Sequence, residues 1–451
     1  PIHENRVKMY SCGPTLCQEI DLGQCRRIIF SDLIRRYMEF KGYEVEHIMN
    51  VTDLDDRTIQ GAQQAGLSLR EFTDRYYDIF MKDLDDLNIK KANHYPRASE
   101  HVEETIQLTQ KLLEKGYAYE KLRSIYFDIS RLKEYGDLSN IDLEKIKVGK
   151  TVDLDQYEKD NPRDFTLLKR STLNELKRGI FFQTKWGNVR PGWHMECSAM
   201  AMKYLGPNYD IHTSGVELIF PHHENAIAIS RAVSGNAPAN YWIHNEPVMP
   251  NGGKGDEPPA ETPLTLSDLL QQGYTAREVR YWLIGRHYRK PSYFSKKKLS
   301  SARNTLSHLD KFIQKLHYAK SANDNPDMDQ AVYAMKHKFT ESMDDDFNIA
   351  PALAALFQFT SRMNQIMDQR GLSFADREKT MEALSQIDSV LGIMHLEPGP
   401  VEKEVEEIIR NREEARKTGN WDTADSLRKR LLEMGIEVSD TKQGTVWNRV
   451  G

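Results

Sequence analysis

The chain has 451 residues, 39% hydrophobic and 29% charged, with 62 basic against 67 acidic side chains and a formal net charge of −5. That length holds about two to four domains with buried cores; the near-balance of charge excludes a globally basic nucleic-acid binder, so any RNA surface has to be a local basic face; and no run approaches the roughly 18 apolar residues of a membrane helix. Four cysteines, three crowded at Cys12, Cys17 and Cys25 and one at Cys197, make no disulfide framework and, with no signal peptide at the start, lead us to expect a reducing cytoplasmic setting.

A strand-like entry leads into Cys12-Gly13-Pro14-Thr15, and the loop Asp21-Leu22-Gly23-Gln24 follows. Apolar residues at Ile28, Ile29, Leu33, Ile34, Tyr37, Met38 and Phe40 predict a helix that Gly42 stops. A second strand, Val45 to Val51, delivers Thr52-Asp53-Leu54-Asp55-Asp56. Strand, glycine loop, helix, strand is one nucleotide-binding half of a doubly wound sheet, in which the helix N-terminus offers free N–H groups to phosphate. Leu67 to about Asn93 reads as charged helix, and Arg97 to Lys115 as another, closed by Gly116. Between Tyr117 and Gly187 a short strand, Ser124 to Ile129, with polar turns and a Lys/Asp-rich stretch, predicts an insertion. The second half resumes at Pro191, with a strand and tight turn over Tyr209 to Gly215 and a helix after Asn225.

Asn251 to Pro263 is rich in Gly, Pro and acids and is expected to be a mobile loop. Leu264 to about Tyr288 and Ser300 to Leu316 read as helices, 317–330 as a linker, and Val332 to Ile393 as further helices. After Pro398-Gly399-Pro400 come Arg410, Arg412, Arg416, Lys417, Arg428, Lys429 and Arg430 on helical spacing, with Trp421 and Trp447. The cations fit either a solvated charged face or an RNA surface, with Trp447 able to stack on an unpaired base.

Four words carry a resemblance: Cys12-Gly13-Pro14-Thr15, Asn50 to Asp56 (NVTDLDD), Pro191 to Met200 (PGWHMECSAM) and Phe220 to Asn225 (FPHHEN). They stand in the order and at about the spacing of cysteinyl-tRNA synthetases, and the chain resembles that family from its first residues to Gly451. Met343 to Asn348 (MDDDFN) resembles the family's helical domain, and the last segment its anticodon-end domain. The resemblance implies an α/β class I architecture: a Rossmann-like parallel sheet split by an insertion, then an α-helical bundle and a small C-terminal domain. The expected boundaries are 1–116 for the first half of the catalytic domain, 117–187 for the insertion and 188–250 for the second half. Residues 251–300 would form the signature-loop and stem-contact region, 301–397 the bundle and 398–451 the C-terminal domain. A short segment carrying a first strand precedes the position of Pro1 in the family, so part of the N-terminus is expected to be missing. The implied partners are cysteine or a cysteine-like small molecule, and tRNA through the C-terminal domain, with no membrane and a monomeric state.

The resemblance also implies a zinc ion held by two cysteines, a histidine and a glutamate, which binds the substrate thiolate and so rejects serine by coordination chemistry. The first three positions correspond to Cys12, Cys197 and His222; the fourth falls on Ala226, whose methyl cannot donate to a metal. His212, His223 and Glu224 are neighbours that could substitute. Either a three-ligand zinc site persists, or the cysteines remain as buried small apolar residues. Thr52, Trp193 and His212 match amino-acid pocket positions, and Gly13, Thr15, Gly23, Gly215 and Glu217 are the expected nucleotide-side positions.

The family stabilises the charge that builds on ATP with a His-Ile-Gly-His loop and a Lys-Met-Ser-Lys-Ser loop. Here the first is Asp21-Leu22-Gly23-Gln24: a donor imidazole has become a carboxylate that only accepts when ionised, while Gln24 keeps a neutral donor. Near the second, Lys254 aligns with the first family lysine, and Asp256 and Glu257 stand near the place of the other. Asp21, Gln24 and Lys254 are thus the altered catalytic positions and count against ATP and magnesium. The expectation is that ATP-dependent cysteine activation and transfer to tRNA is lost or strongly weakened, leaving binding of a cysteine-like ligand, tRNA or both. The alternatives are an active cysteine–tRNA ligase with unusual motifs, or a ligase transferring cysteine to a non-tRNA acceptor.

Overall fold

The computed structural model describes residues 1–141, 159–161, 163–249, 264–319, 321, 323–397, 403–434, 436–441 and 444–449. They divide into two compact units, Pro1–Ala276 with Tyr288–Phe294, and Arg277–His287 with Ser295–Gly451.

The first unit opens with strand β1 (Arg6–Ser11), helix α1 (Leu22–Phe40) and strand β2 (Glu44–Met49), as the periodicity predicts. Helices α2 (Asp56–Gln64), α3 (Leu69–Asp86) and α4 (Val102–Glu114) follow. Gly116 ends α4 with φ +74°, a conformation that favours glycine. The insertion is a five-stranded antiparallel sheet built from β3 (Ala118–Lys121), β4 (Ser124–Phe127), β5 (Phe165–Arg170), β6 (Phe182–Thr184) and β7 (Gly187–Pro191), with a short helix α5 (Leu173–Lys177). Its strand order is β3-β4-β5-β7-β6. The chain then returns through α6 (Trp193–Leu205), β8 (Tyr209–Gly215), α7 (Glu224–Ser234) and β9 (Ala239–Asn245).

The two halves meet in one parallel sheet of order β2-β1-β8-β9. Tyr10 of β1 stands opposite Ile48 of β2 and His212 of β8, so the ends of strands 200 residues apart in sequence fall side by side. Met9 and Tyr10, which point to opposite faces, are both fully buried, as expected of a parallel sheet covered by helices on both sides. Helix α1 buries polar positions as well as its apolar stripe: Arg36 pairs with Asp32 at 2.7 Å, and Arg26 donates to the carbonyls of Glu246 (2.5 Å) and Lys290 (2.8 Å).

The stretch from Leu264 reads as one helix in the sequence but is two. After a short strand β10 (Val248–Met249), α8 (Leu266–Gln271) and α9 (Ala276–Ile284) are separated at Gly273, whose φ of +80° breaks the helical path. A two-residue strand β11 (Ser292–Tyr293) pairs with β10.

The second unit contains α10 (Lys296–Tyr318), α11 (Met328–Asp344), α12 (Ile349–Arg370) and α13 (Phe374–Leu391), around buried Leu306, Phe339, Leu356 and Ile387. The terminal segment is a helical pair, α14 (Lys403–Lys417) and α15 (Trp421–Glu433), closed by an antiparallel hairpin of β12 (Ile436–Thr441) and β13 (Gly444–Arg449). Val405, Ile408, Leu431, Ile436 and Val438 form its core. The hairpin explains one residue of the basic run. Arg412 is 2% exposed and forks onto Asp440 with two contacts of 2.8 Å, so it holds helix to hairpin and does not belong to a solvent-facing surface. Arg410, Lys417, Arg428, Lys429 and Arg430 are exposed. Trp421 is exposed beneath the Arg416 guanidinium, 5.5 Å from its ring, while the Trp447 side chain lies outside the described residues. Among the described residues no helix is long and apolar enough to cross a membrane.

Candidate functional site

Parallel sheets of this kind bind ligands beyond the carboxyl ends of their strands, and the candidate residues collect there. Cys12 follows directly on β1, His212 lies in β8, Cys197 sits in the second turn of α6, and His222 and His223 precede α7. All five are buried. The donor atoms of Cys12, Cys197 and His222 lie within 4.8 Å of one another, and so do those of Cys12, His212 and His223. Cys12 Sγ is 3.4 Å from His212 Nε2 and 3.6 Å from His223 Nε2. Two thiols and an imidazole converging at this separation are the donor set of a three-ligand zinc site, so the residues present fit the metal.

The electrostatics of the pair divide one role between two sulfurs. The hydrogen bond from Cys197 holds the Cys12 thiol well below its ordinary range, with His212 and His222 adding to the effect against burial. The same bond, with burial, holds Cys197 well above it. Of the two sulfurs, Cys12 is thus the one biased toward thiolate, the form in which a cysteine ligates metal. Burial keeps His223 and His194 neutral, and lowers His244 to about 4. Each imidazole has its other nitrogen engaged: His212 Nδ1 with the Tyr209 hydroxyl (2.8 Å), His223 Nδ1 with His244 Nε2 (2.8 Å), and His222 Nδ1 with His194 Nδ1 (2.9 Å). Such outer contacts fix which nitrogen faces the cluster.

Two indoles flank the cluster. Trp193 stacks on His222 with ring centroids 4.4 Å apart, and Trp242 stacks on His212 at the same separation. The sequence reading includes Trp193 and misses Trp242 and His244. Their signal is alternation: on β9 they share one face, two residues apart. Thr52 is buried beside Thr15, fixed by Leu16 N–H to its carbonyl (2.9 Å) and by its own N–H to Pro14 (3.0 Å). Gly13 is required by packing, since a Cβ there would lie 1.7 Å from the Asn50 carbonyl oxygen.

Glu224 is not free to replace the missing ligand. Its carboxylate accepts from Gly136 N–H (3.1 Å), Ser139 N–H (2.7 Å) and the Ser139 hydroxyl (2.9 Å), and so ties the insertion to α7. Ala226 is buried one helical turn beyond His222.

The nucleotide side is built differently. Asp21 is the N-cap of α1: its carboxylate accepts from Gln24 N–H (2.8 Å), and Gln24 Oε1 accepts from Asp21 N–H (3.1 Å). Leu22 N–H is bound by the Leu264 carbonyl at 2.9 Å. The structure adds a local role to the expected one: Asp21 caps its own helix, where a capping box satisfies two amides and the carboxylate offsets the positive end of the dipole. Gly23 sits within this cap; a Cβ would lie 3.0 Å from Asp21 Oδ1. Gly13, Gly215 and Glu217 are connected by a residue the sequence reading passes over, Arg27. Its guanidinium lies 3.5 Å from Glu217 and donates to the Gly13 carbonyl at 3.4 Å, and Glu217 covers Gly215 so closely that a Cβ would lie 2.1 Å away. Thr15 receives a hydrogen bond from Arg57 at 2.8 Å. Lys254 and the loop around it lie outside the described residues.

Comparison with known proteins gives a consistent family. Residues 1–304 match the family model of tRNA synthetases class I (C) catalytic domain, 338–395 that of the DALR domain, and 400–447 that of the cysteinyl-tRNA ligase anticodon binding domain. The chain is similar to the cysteine–tRNA ligase of Methanosarcina mazei, at 40% identity over 98% of this chain and 95% of that protein. It is similar to those of Chlamydia pneumoniae, at 39% over 97% and 93%, and Carboxydothermus hydrogenoformans, at 38% over 100% and 97%. Among solved structures, Mycobacterium tuberculosis methionyl-tRNA synthetase bound by methionyl-adenylate covers 86% of this chain and 92% of its own, with a TM-score of 0.59 and 13% identity. At that identity the likeness speaks for the fold.

Proposed function

The chain belongs to the cysteinyl-tRNA synthetase family, class I, and within it we propose that the protein is a cysteine–tRNA ligase that selects its amino acid through sulfur. The names of full-length relatives favour this reading over the loss of activity expected from the sequence, and the observation that carries it is the convergence of Cys12, Cys197 and His222. In this proposal these three residues hold a zinc ion, which when bound supplies a soft cation that takes the thiolate of cysteine and leaves serine unbound. Trp193 and Trp242 wall the amino-acid pocket, with Thr52 and His212 at its base. The buried neutral imidazoles exclude bulk water and donate no competing positive charge. ATP is the second substrate and tRNA the acceptor, with 398–451 serving the anticodon end. Attachment of labelled cysteine to tRNA in the presence of ATP tests the proposal; a protein that binds cysteine and leaves all tRNA uncharged overturns it.

A second reading, in which cysteine and tRNA are bound and adenylation is lost or strongly weakened, is favoured by one observation. The N-terminus of α1 is capped by its own carboxylate, so two of the amides that would meet ATP phosphate, those of Gln24 and Leu22, are bonded to Asp21 and Leu264. Cysteine-dependent pyrophosphate exchange separates the two readings.

A further inference from the structure

A second opening adjoins the amino-acid site on the side of the insertion. It is a cavity of about 50 Å³ among β5, the first turn of α6 and the start of α7. That is room for one tetrahedral oxyanion, since a single water needs roughly 10–15 Å³ by the same kind of measure. Lys159, Arg163 and Lys169 contribute to its wall, and among the described residues no carboxylate does. Lys169 also contacts Asp56 at 3.0 Å, a carboxylate that is 64% exposed.

Two further observations concern donors. Helix α6, 13 residues long, has as its N-cap Gly192, which has no side chain with which to cap it, and the N–H groups of Trp193 and His194 have no partner among the described residues. Packing demands the glycine, because a Cβ there would lie 2.2 Å from the Thr166 carbonyl oxygen. The result is an open, positively polarised helix end, the reverse of α1. Independently, Asn225 lines the same cavity and is 1% exposed; its Oδ1 accepts from the Tyr135 hydroxyl at 2.5 Å, while its Nδ2 is buried without a partner. A buried donor left unpaired is costly, and a bound acceptor removes that cost.

We infer that this cavity is a binding site for a phosphate-class oxyanion, held by Lys159, Arg163 and Lys169, the open end of α6 and Asn225 Nδ2. Trp193 both starts α6 at this cavity and stacks on His222, so an anion bound here sits next to the amino-acid pocket. The phosphoryl group could come from the 3′-terminal phosphodiesters of an RNA or from free phosphate. The site does not rest on the ligase reading, because binding of the anion is measurable without cysteine, ATP or tRNA.

Calorimetric titration of the full chain with inorganic phosphate tests it. The expected result is one binding event per chain, weakened at least about tenfold by Arg163→Ala through removal of a charge-assisted hydrogen bond and largely retained by Arg163→Lys. Asn225→Asp, which places a negative charge at the orphaned donor, should abolish it; Arg163 is half-buried, so its variants keep the test independent of whether that core change folds. Competition by an RNA minihelix ending in CCA assigns the phosphoryl group to RNA, and binding of phosphate without competition assigns it to a free anion. A wild-type protein that binds no phosphate, or an Arg163→Ala variant that binds it equally well, overturns the proposal.

Discussion

The two ends of the crevice beyond β1 and β8 use the same kinds of polar group in opposite ways. At the amino-acid end, two sulfurs and an imidazole converge with their donor atoms turned toward one another, and the outer nitrogens of the rings are held by neighbours. At the other end, two of the first-turn amides of α1 are already bonded within the chain, Gln24 N–H to Asp21 and Leu22 N–H to Leu264. A ligand entering the first end completes a site; a phosphate entering the second has to displace one. The difference is one of satisfaction: the sulfur cluster presents converging donors, while the start of α1 is closed by its own capping carboxylate.

The largest expected effect removes the contrast altogether. Cys197→Ser takes away one of the two sulfurs of the cluster and leaves a hydroxyl that ligates zinc poorly, so elemental analysis should find zinc in the parent protein and none in the variant. Zinc content unchanged by the substitution would place any metal elsewhere and leave the two ends equally unspecialised.

Asp21→Ser sharpens the other side. Serine caps a helix about as well as aspartate, so α1 should persist while its N-terminus loses a negative charge next to the phosphate position. ATP should then bind about tenfold more tightly, the size of one charge at partial exposure. Unchanged ATP affinity would show that Asp21 has no part in nucleotide binding.

A smaller effect extends the comparison to the tRNA end. Replacing Arg428, Lys429 and Arg430 together should reduce the slope of log affinity against log salt by about 0.7–0.9 for each phosphate that is no longer neutralised. Arg412→Ala should behave differently, destabilising the α14–α15 hairpin module because the buried fork onto Asp440 is structural. Equal salt slopes in parent and triple variant would remove α15 from the RNA surface.

The smallest effect lies next to α1. Asp83 of α3 has its carboxyl raised to about 7 by burial, with Glu19 and Asp86 adding to it. The folded state therefore holds this proton more tightly than the unfolded chain, whose value is near 3.8. Its contribution to stability is present at low pH and lost as pH rises from about 4 through 7. Asp83→Asn should flatten that part of the profile and raise the urea midpoint at pH 8 relative to the parent; an unchanged difference between pH 5 and pH 8 would refute the assignment.

The parallel half-sheet was readable because its helix and strands carry long, clean periods, as in Ile28 to Phe40 and Val45 to Val51. The insertion gave up only one of its five strands, since elements such as the three-residue β6 are too short to show alternation. The terminal hairpin was hidden for another reason: its two six-residue strands follow a run of helix-spaced cations that sets the period of the whole segment. Gly273 marked the break between α8 and α9, yet a lone glycine in a helical pattern is ambiguous until its φ is known. At the site, the grouping of Cys12, Cys197 and His222 came through resemblance; no local pattern joins residues so far apart in sequence. The capping role of Asp21 was legible and passed over. Asp-Leu-Gly-Gln is also the pattern of a capping box, an N-cap acceptor with Gln three residues on, and the helix used it as one.

Pyrophosphate exchange measured in parallel with cysteine and with serine asks whether the sulfur cluster selects the substrate of a working adenylation step. Exchange should depend on cysteine, with a preference over serine of at least about a hundredfold. Serine supporting exchange as well as cysteine does, or the absence of exchange with either, would contradict it.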